Sequence, residues 1–118
     1  MPDPTSKVAV LFSGGTDSTA SSALLAETYR EVHLLTYKRL GFHGAGNSTN
    51  NYHKLAKRFP DTKYVHHIFE TTELVRRLTE HRRWHYIRKY GFFTLQNCGF
   101  CALINHVATM AYCLRHQI

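Results

Sequence analysis

A chain of 118 residues with 43% hydrophobic and 13% aromatic side chains is long enough for one hydrophobic core and too apolar to be disordered. No run approaches the roughly 18 apolar residues of a membrane span, and the opening Met1, Pro2, Asp3, Pro4 lacks the apolar centre of a secretory signal. A single cytoplasmic domain over residues 1–118 is therefore expected, and the net charge of +7 points to a polyanionic partner while leaving the fold open.

Residues 8–12 (Val-Ala-Val-Leu-Phe) form a short apolar run with β-branched members, the pattern of a strand buried on both faces. The run breaks at Ser13, Gly14 and Gly15, where the chain must turn tightly at the surface. Asp17 and Ser18 occupy positions suited to helix N-caps, ahead of an alanine-rich helical stretch from Thr19 to about Tyr29. A strand, a glycine turn bearing hydroxyls and a helix N-terminus together make an anion cradle, because the loop N–H groups and the helix dipole point at the same place.

A second apolar run at residues 32–37 completes a β-α-β unit. Residues 41–51, with three glycines, three asparagines and two small hydroxyl residues, read as a flexible loop at the carboxyl end of that strand. In open parallel sheets this is the edge where ligands bind. A helix is expected at about 50–59, stopped by Pro60 and Asp61, then a strand at 63–69 and a helix at 72–79 with Thr71 or Thr72 as cap. Residues 81–97 give no clear period. Residues 101–116 are helical, with Leu103, Val107, Met110, Ala111 and Leu114 on one stripe.

The expected fold is α/β, a parallel sheet of three or more strands ordered 3-2-1 and flanked by helices. It is Rossmann-like and incomplete beside the usual five strands, since no fourth strand follows the last helix. The first strand would then keep an open edge, which calls for self-association or a partner chain that completes the sheet.

The loop can be narrowed by elimination. No lysine follows its glycines, as a common P-loop would need, and the three spaced glycines of a dinucleotide fingerprint are missing. Ser13, Gly14, Gly15, Asp17 and Ser18 resemble the Ser-Gly-Gly-x-Asp-Ser signature of the PP-loop ATP pyrophosphatase superfamily, whose fold is the adenine nucleotide alpha-hydrolase-like one. The resemblance implies ATP binding through Phe12, Ser13, Gly14, Gly15, Thr16, Asp17, Ser18 and Thr19, with adenine over the end of the second strand near Thr36 and Tyr37. It implies attack of a substrate oxygen on the α-phosphate, with Asp17 and Ser18 in catalytic positions, release of pyrophosphate, and Mg²⁺ to neutralise the leaving group.

Within that superfamily, residues 29–37 and the patch Cys98, Gly99, Phe100, Cys101, Ala102 are similar to 7-cyano-7-deazaguanine synthases, of which the chain looks like an N-terminal or truncated part. Their zinc motif has two further cysteines, at positions that here hold Ile104 and Lys89. The tRNA-thiolating branch, which also carries Cys-x-x-Cys pairs, is a competing resemblance, and a nucleotide-binding half-domain without catalysis is a third reading.

Cys98 and Cys101 have the spacing that lets two thiolates share one Zn²⁺, with Gly99 permitting a turn between them, although a closed site needs four ligands. Thiol chemistry or plain packing are the alternatives. Cys113 is excluded as a third ligand if residues 101–113 are one helix, because twelve residues span ~18 Å; a buried structural role is expected for it. Finally, Arg76, Arg77, Arg82, Arg83, Arg88 and Lys89, interleaved with Trp84, Tyr86 and Tyr90, form a segment that suits single-stranded RNA or a nucleobase. The alternative is a solvated helix face whose rings pack on the sheet.

Overall fold

The computed structural model describes residues 6–38, 45–79, 83–91 and 97–118; the side chains of residues 97–101, and of a few other helical positions, lie outside that description. Three strands, β1 (Lys7–Leu11), β2 (Glu31–Lys38) and β3 (Lys63–Glu70), alternate with helices α1 (Thr16–Leu25), α2 (Ala45–Arg58), α3 (Thr72–Thr79), α4 (Arg83–Tyr90) and α5 (Asn97–His116). The sheet is wholly parallel in the order β1-β2-β3, with Val8 beside Val32, and Val32 beside Tyr64. The expected α/β class and strand order are therefore present, as three strands flanked by helices.

Burial follows position in the sheet. The central strand β2 is buried from Val32 to Thr36 because it has a neighbour on each side and helices on each face. At the edge, β1 is only half-buried through Val8, Ala9 and Val10, so the expectation of a strand covered on both faces is corrected. Along β2, Val32, Leu34 and Thr36 alternate with His33, Leu35 and Tyr37, and the two sets face opposite sides. The first set joins Phe12, Leu55 and Tyr64 in the main core, against α1 and α2. Tyr64 ties β3 to α1 by donating its hydroxyl to Ser22 O at 3.0 Å, and burial pushes this phenol up to about 12.

The opposite face is covered by α5, and the apolar stripe of the helix is not the side that packs on the sheet. Ile104 and Tyr112 are buried, whereas Leu103, Val107, Met110, Ala111 and Leu114 face solvent. The reason is chemical. This sheet face carries the rings of His33, Tyr37, His67 and Phe69, and the polar atoms of His33 and Tyr37 need partners once covered. An aliphatic stripe offers none. The Tyr112 side of the helix does: Tyr112 OH lies 2.7 Å from His33 Nδ1, and Tyr37 OH lies 2.7 Å from Thr109 Oγ1. Cys113 is half-buried and free rather than buried.

Three further boundaries differ. α1 starts at Thr16, so its N-cap is Gly15 and neither Asp17 nor Ser18. α2 begins at Ala45, which makes the second half of the glycine-asparagine stretch helical, and residues 39–44 lie outside the described ones. α5 begins at Asn97 and runs without a turn through Cys98 and Cys101.

Candidate functional site

The loop after β1 is anchored before it turns. Phe12 N donates to Leu35 O at 2.8 Å, extending the strand pairing by one residue, and Phe12 O accepts from Thr36 Oγ1 at 2.7 Å. The Phe12 ring is buried in the core, so this residue supports the loop from beneath.

Gly14 then takes a left-handed conformation at φ +82°, while Gly15 is extended at φ −74°, ψ 172°. The left-handed turn lets the backbone of Gly14 lie directly on α2. A Cβ placed there would sit 2.5 Å from Ser48 N and 2.6 Å from Ser48 Cα, so only glycine fits. Asn51, one turn further along α2, donates from Nδ2 to Gly14 O at 2.7 Å. Gly14 is thus buried, contrary to the expectation of a surface position, and α2 clamps it. Two helices direct their N-terminal turns at one loop.

The hydroxyls form a small closed network. Gly15 N donates to Ser13 Oγ at 3.2 Å, and Ser18 Oγ and Thr19 Oγ1 donate to Gly15 O at 3.2 and 2.7 Å. With its proton directed at Gly15 O, Ser18 accepts from Ser13 Oγ, 3.2 Å away. No side chain caps α1, because its N-cap is a glycine, and the first N–H groups of a helix have no partner within it. Ser13, Gly15, Thr16 and Asp17 are exposed, and Ser18 and Thr19 half-buried. Asp17, second in the helix, sets an exposed carboxylate beside this ring of donors, a hard oxygen ligand of the kind Mg²⁺ takes.

Thr36 and Tyr37 end on opposite faces of β2, as the two-residue period of a strand requires, so they do not line one pocket together. Thr36 is buried and its proton goes to Phe12 O. It therefore accepts from His66 Nε2 at 2.9 Å, which places the proton of that ring on Nε2. Tyr37 stacks on Phe69 with ring centres 5.3 Å apart, and burial raises its pKa above the ordinary phenol value.

His66 is the neighbour that sequence spacing left unplaced. Its ring packs between Phe12 and Tyr52, at 5.9 and 5.2 Å, behind the loop. Burial, followed by the nearby His67 and His53, keeps it below the usual histidine pKa and hence neutral. Asn51 had a signal: it belongs to the stretch expected at the ligand-binding edge. His66 had none, since its position follows from β3 lying beside β2.

α5 runs antiparallel to the strands. Thr109 meets Tyr37 near the carboxyl end of β2, and Tyr112 meets His33 near its start. The N-terminal turn of α5, with Cys98 and Cys101, therefore extends beyond that end of the sheet, about 12–16 Å along the helix from Thr109. A helical Cys-x-x-Cys keeps its two residues on neighbouring turns of one face. Their side chains lie outside the described ones, and among the described residues no group of three metal-ligating side chains converges.

In the basic segment, Trp84 and Tyr90 of α4 are largely exposed rather than packed on the sheet, and Lys89 Nζ sits 5.4 Å over the Tyr90 ring. Arg76 and Arg77 are paired with Glu73 at 2.6 and 2.9 Å. Arg82 lies outside the described residues, as do the side chains of Arg83 and Tyr86. Among the described residues, no helix is long and apolar enough to cross a membrane.

No family model matches the sequence, and no curated protein matches it.

Proposed function

We propose that residues 13–18 bind the β- and γ-phosphates of ATP and that the chain adenylates a carboxylate or carbonyl oxygen, releasing pyrophosphate, in deazaguanine or tRNA-base modification. One observation carries this reading. Gly14, left-handed and clamped by α2, hands the chain to a helix whose N-terminus no side chain caps, so the donors of the first turn are left for an anionic ligand. In the reaction the acceptor oxygen bonds to the α-phosphorus as the bond from that phosphorus to the bridging oxygen breaks, and the electron pair leaves with pyrophosphate.

The protein groups have distinct parts in this reading. Gly15 N–H, released from Ser13 Oγ, and the first turn of α1 supply donors, while Ser13 turns its proton from Ser18 Oγ, and Ser18 its proton from Gly15 O, to phosphate oxygens. Asp17 would repel the phosphates if it faced them alone, and so would hold the Mg²⁺ that neutralises the leaving group. Cys98 and Cys101 supply at most two of the four ligands of a Zn²⁺ site, or serve a tRNA-thiolating reaction as thiols. The exposed Trp84 and Tyr90 with Arg88 and Lys89 suit contact with RNA.

A second reading, a nucleotide-binding half-domain without catalysis, is favoured by the three-stranded sheet with β1 at its edge. Calorimetry with ATP and Mg²⁺ tests the binding common to both. Wild type should bind, and Gly15→Val should not. A Cβ at Gly15 would meet only Ser13 Oγ, at 3.4 Å, and circular dichroism of the variant checks that it folds. Pyrophosphate release on adding candidate acceptors separates enzyme from module.

A further inference from the structure

The face of α5 turned away from the sheet is apolar and uncovered. Leu103, Val107, Met110 and Leu114 are 59%, 58%, 65% and 81% exposed, and at about 100° per residue all four fall within a narrow stripe of the helix surface. From Ala102 to Leu114 the helix contains no Asp, Glu, Lys or Arg. A row of large aliphatic side chains without a charge among them is unlike the scattered apolar residues of an ordinary surface.

We propose that this stripe is the contact of a homodimer, in which α5 of a second copy packs antiparallel to it about a two-fold axis passing between Ala108 and Thr109. The spacing of the four residues is four, three, four, the alternation of a coiled-coil seam. It also reads the same in both directions. Reversing the helix about its centre sets Leu103 against the partner's Leu114, and Val107 against the partner's Met110. A two-fold contact requires such self-complementarity, whereas a contact with an unrelated chain does not.

Size and surroundings agree. With the whole stripe covered, roughly 500 Å² per copy, a pair buries about 1,000 Å², the least that a specific interface needs. The flanking Ala111 is small, which lets two helices approach to the usual 8–10 Å. The net charge of +7 opposes pairing of two copies, but in α5 only Arg115 is a fully ionised side chain, and it lies beyond the seam. Salt should therefore screen the repulsion and strengthen the dimer.

Sedimentation velocity of the full chain over 0.5–100 μM tests the proposal, with far-UV circular dichroism as the check on folding. Wild type should be dimeric at roughly 10 μM and tighter in 0.5 M than in 0.1 M NaCl. Leu103→Glu and Leu114→Lys, both on the solvent face of α5, should each weaken association at least 100-fold. Combining them in one chain should restore the dimer, because the antiparallel register places each Glu beside a Lys; this rescue also serves should a single substitution unfold the chain. A wild-type monomer at 100 μM overturns the proposal. So does a dimer indifferent to both substitutions, whose contact must lie elsewhere, and so does failure of the rescue in a folded double variant.

Discussion

Gly14 and Gly15 are adjacent and chemically identical, yet the structure assigns them opposite sensitivities to one added methyl group. At Gly14 two costs combine. The left-handed backbone at φ +82° is unfavourable by about 1–2 kcal/mol for a residue with a Cβ. The new carbon would also lie 2.5, 2.6 and 2.9 Å from backbone atoms of Ser48 and Asn47, so the first turn of α2 must move; overpacking of this kind costs about 1–3 kcal/mol. Gly14→Ala should lose about 2–5 kcal/mol, a large share of the roughly 5–15 kcal/mol that holds a domain together. At Gly15 the backbone is extended, and the nearest atom, Ser13 Oγ at 3.4 Å, is an ordinary contact. Gly15→Ala should stay within about 0.5 kcal/mol of wild type. Thermal unfolding followed by circular dichroism compares them directly, with Tm expected to fall by about 10–20 °C for Gly14→Ala and by no more than about 2 °C for Gly15→Ala. Equal melting temperatures for the two variants would refute the clamp of α2 on the loop. The comparison also decides how nucleotide binding should be probed: Gly15→Val acts on the anion site, whereas Gly14→Val would confound binding with folding.

Asn51→Ala should cost about 1–3 kcal/mol by leaving the buried Gly14 O without its donor, read by urea unfolding, and Asn51→Asp should not rescue it because a carboxylate cannot donate. Burial holds His33 and His66 below the ordinary histidine pKa, the bond from His33 to Glu31 opposing this only in part. The unfolded chain therefore binds protons near pH 6.5 that the folded chain does not, and stability should be flat above about pH 7.5 and fall below about 6.5. Burial pushes Glu31 up, but its bonds from His33 and Lys63 outweigh that and leave it below the usual carboxylate range, which adds a second loss of stability below about pH 4.5. Urea midpoints unchanged between pH 7.5 and 5.5 would contradict the histidine assignment. Element analysis of protein purified without chelator should find Zn²⁺ that is lost in Cys98→Ser and Cys101→Ser and kept in Cys113→Ser, since Cys113 lies ~18 Å along α5 from Cys101; metal loss in Cys113→Ser would contradict the continuous helix.

Whatever depends on local pattern is legible in the residues alone. Apolar runs near residues 8, 32 and 63, separated by helical stretches, specify a parallel α/β sheet, because short connections through helices return each strand in the same direction. Ser13, Gly14 and Gly15 marked the candidate site for the same reason, since a glycine turn between strand and helix is a local requirement. What needed the tertiary structure was everything that depends on a distant partner. The glycine-asparagine stretch becomes helix from Ala45 because Ser48 and Asn51 have Gly14 to pack and bond against. His66 reaches the back of the loop through strand pairing alone. The rotation of α5 was set by His33 and Tyr37, which accept a face bearing Tyr112 and Thr109 and leave the aliphatic stripe outside. Helical periodicity locates an apolar stripe but cannot say which face the sheet will cover, because the demand of buried polar atoms for partners is written on another strand.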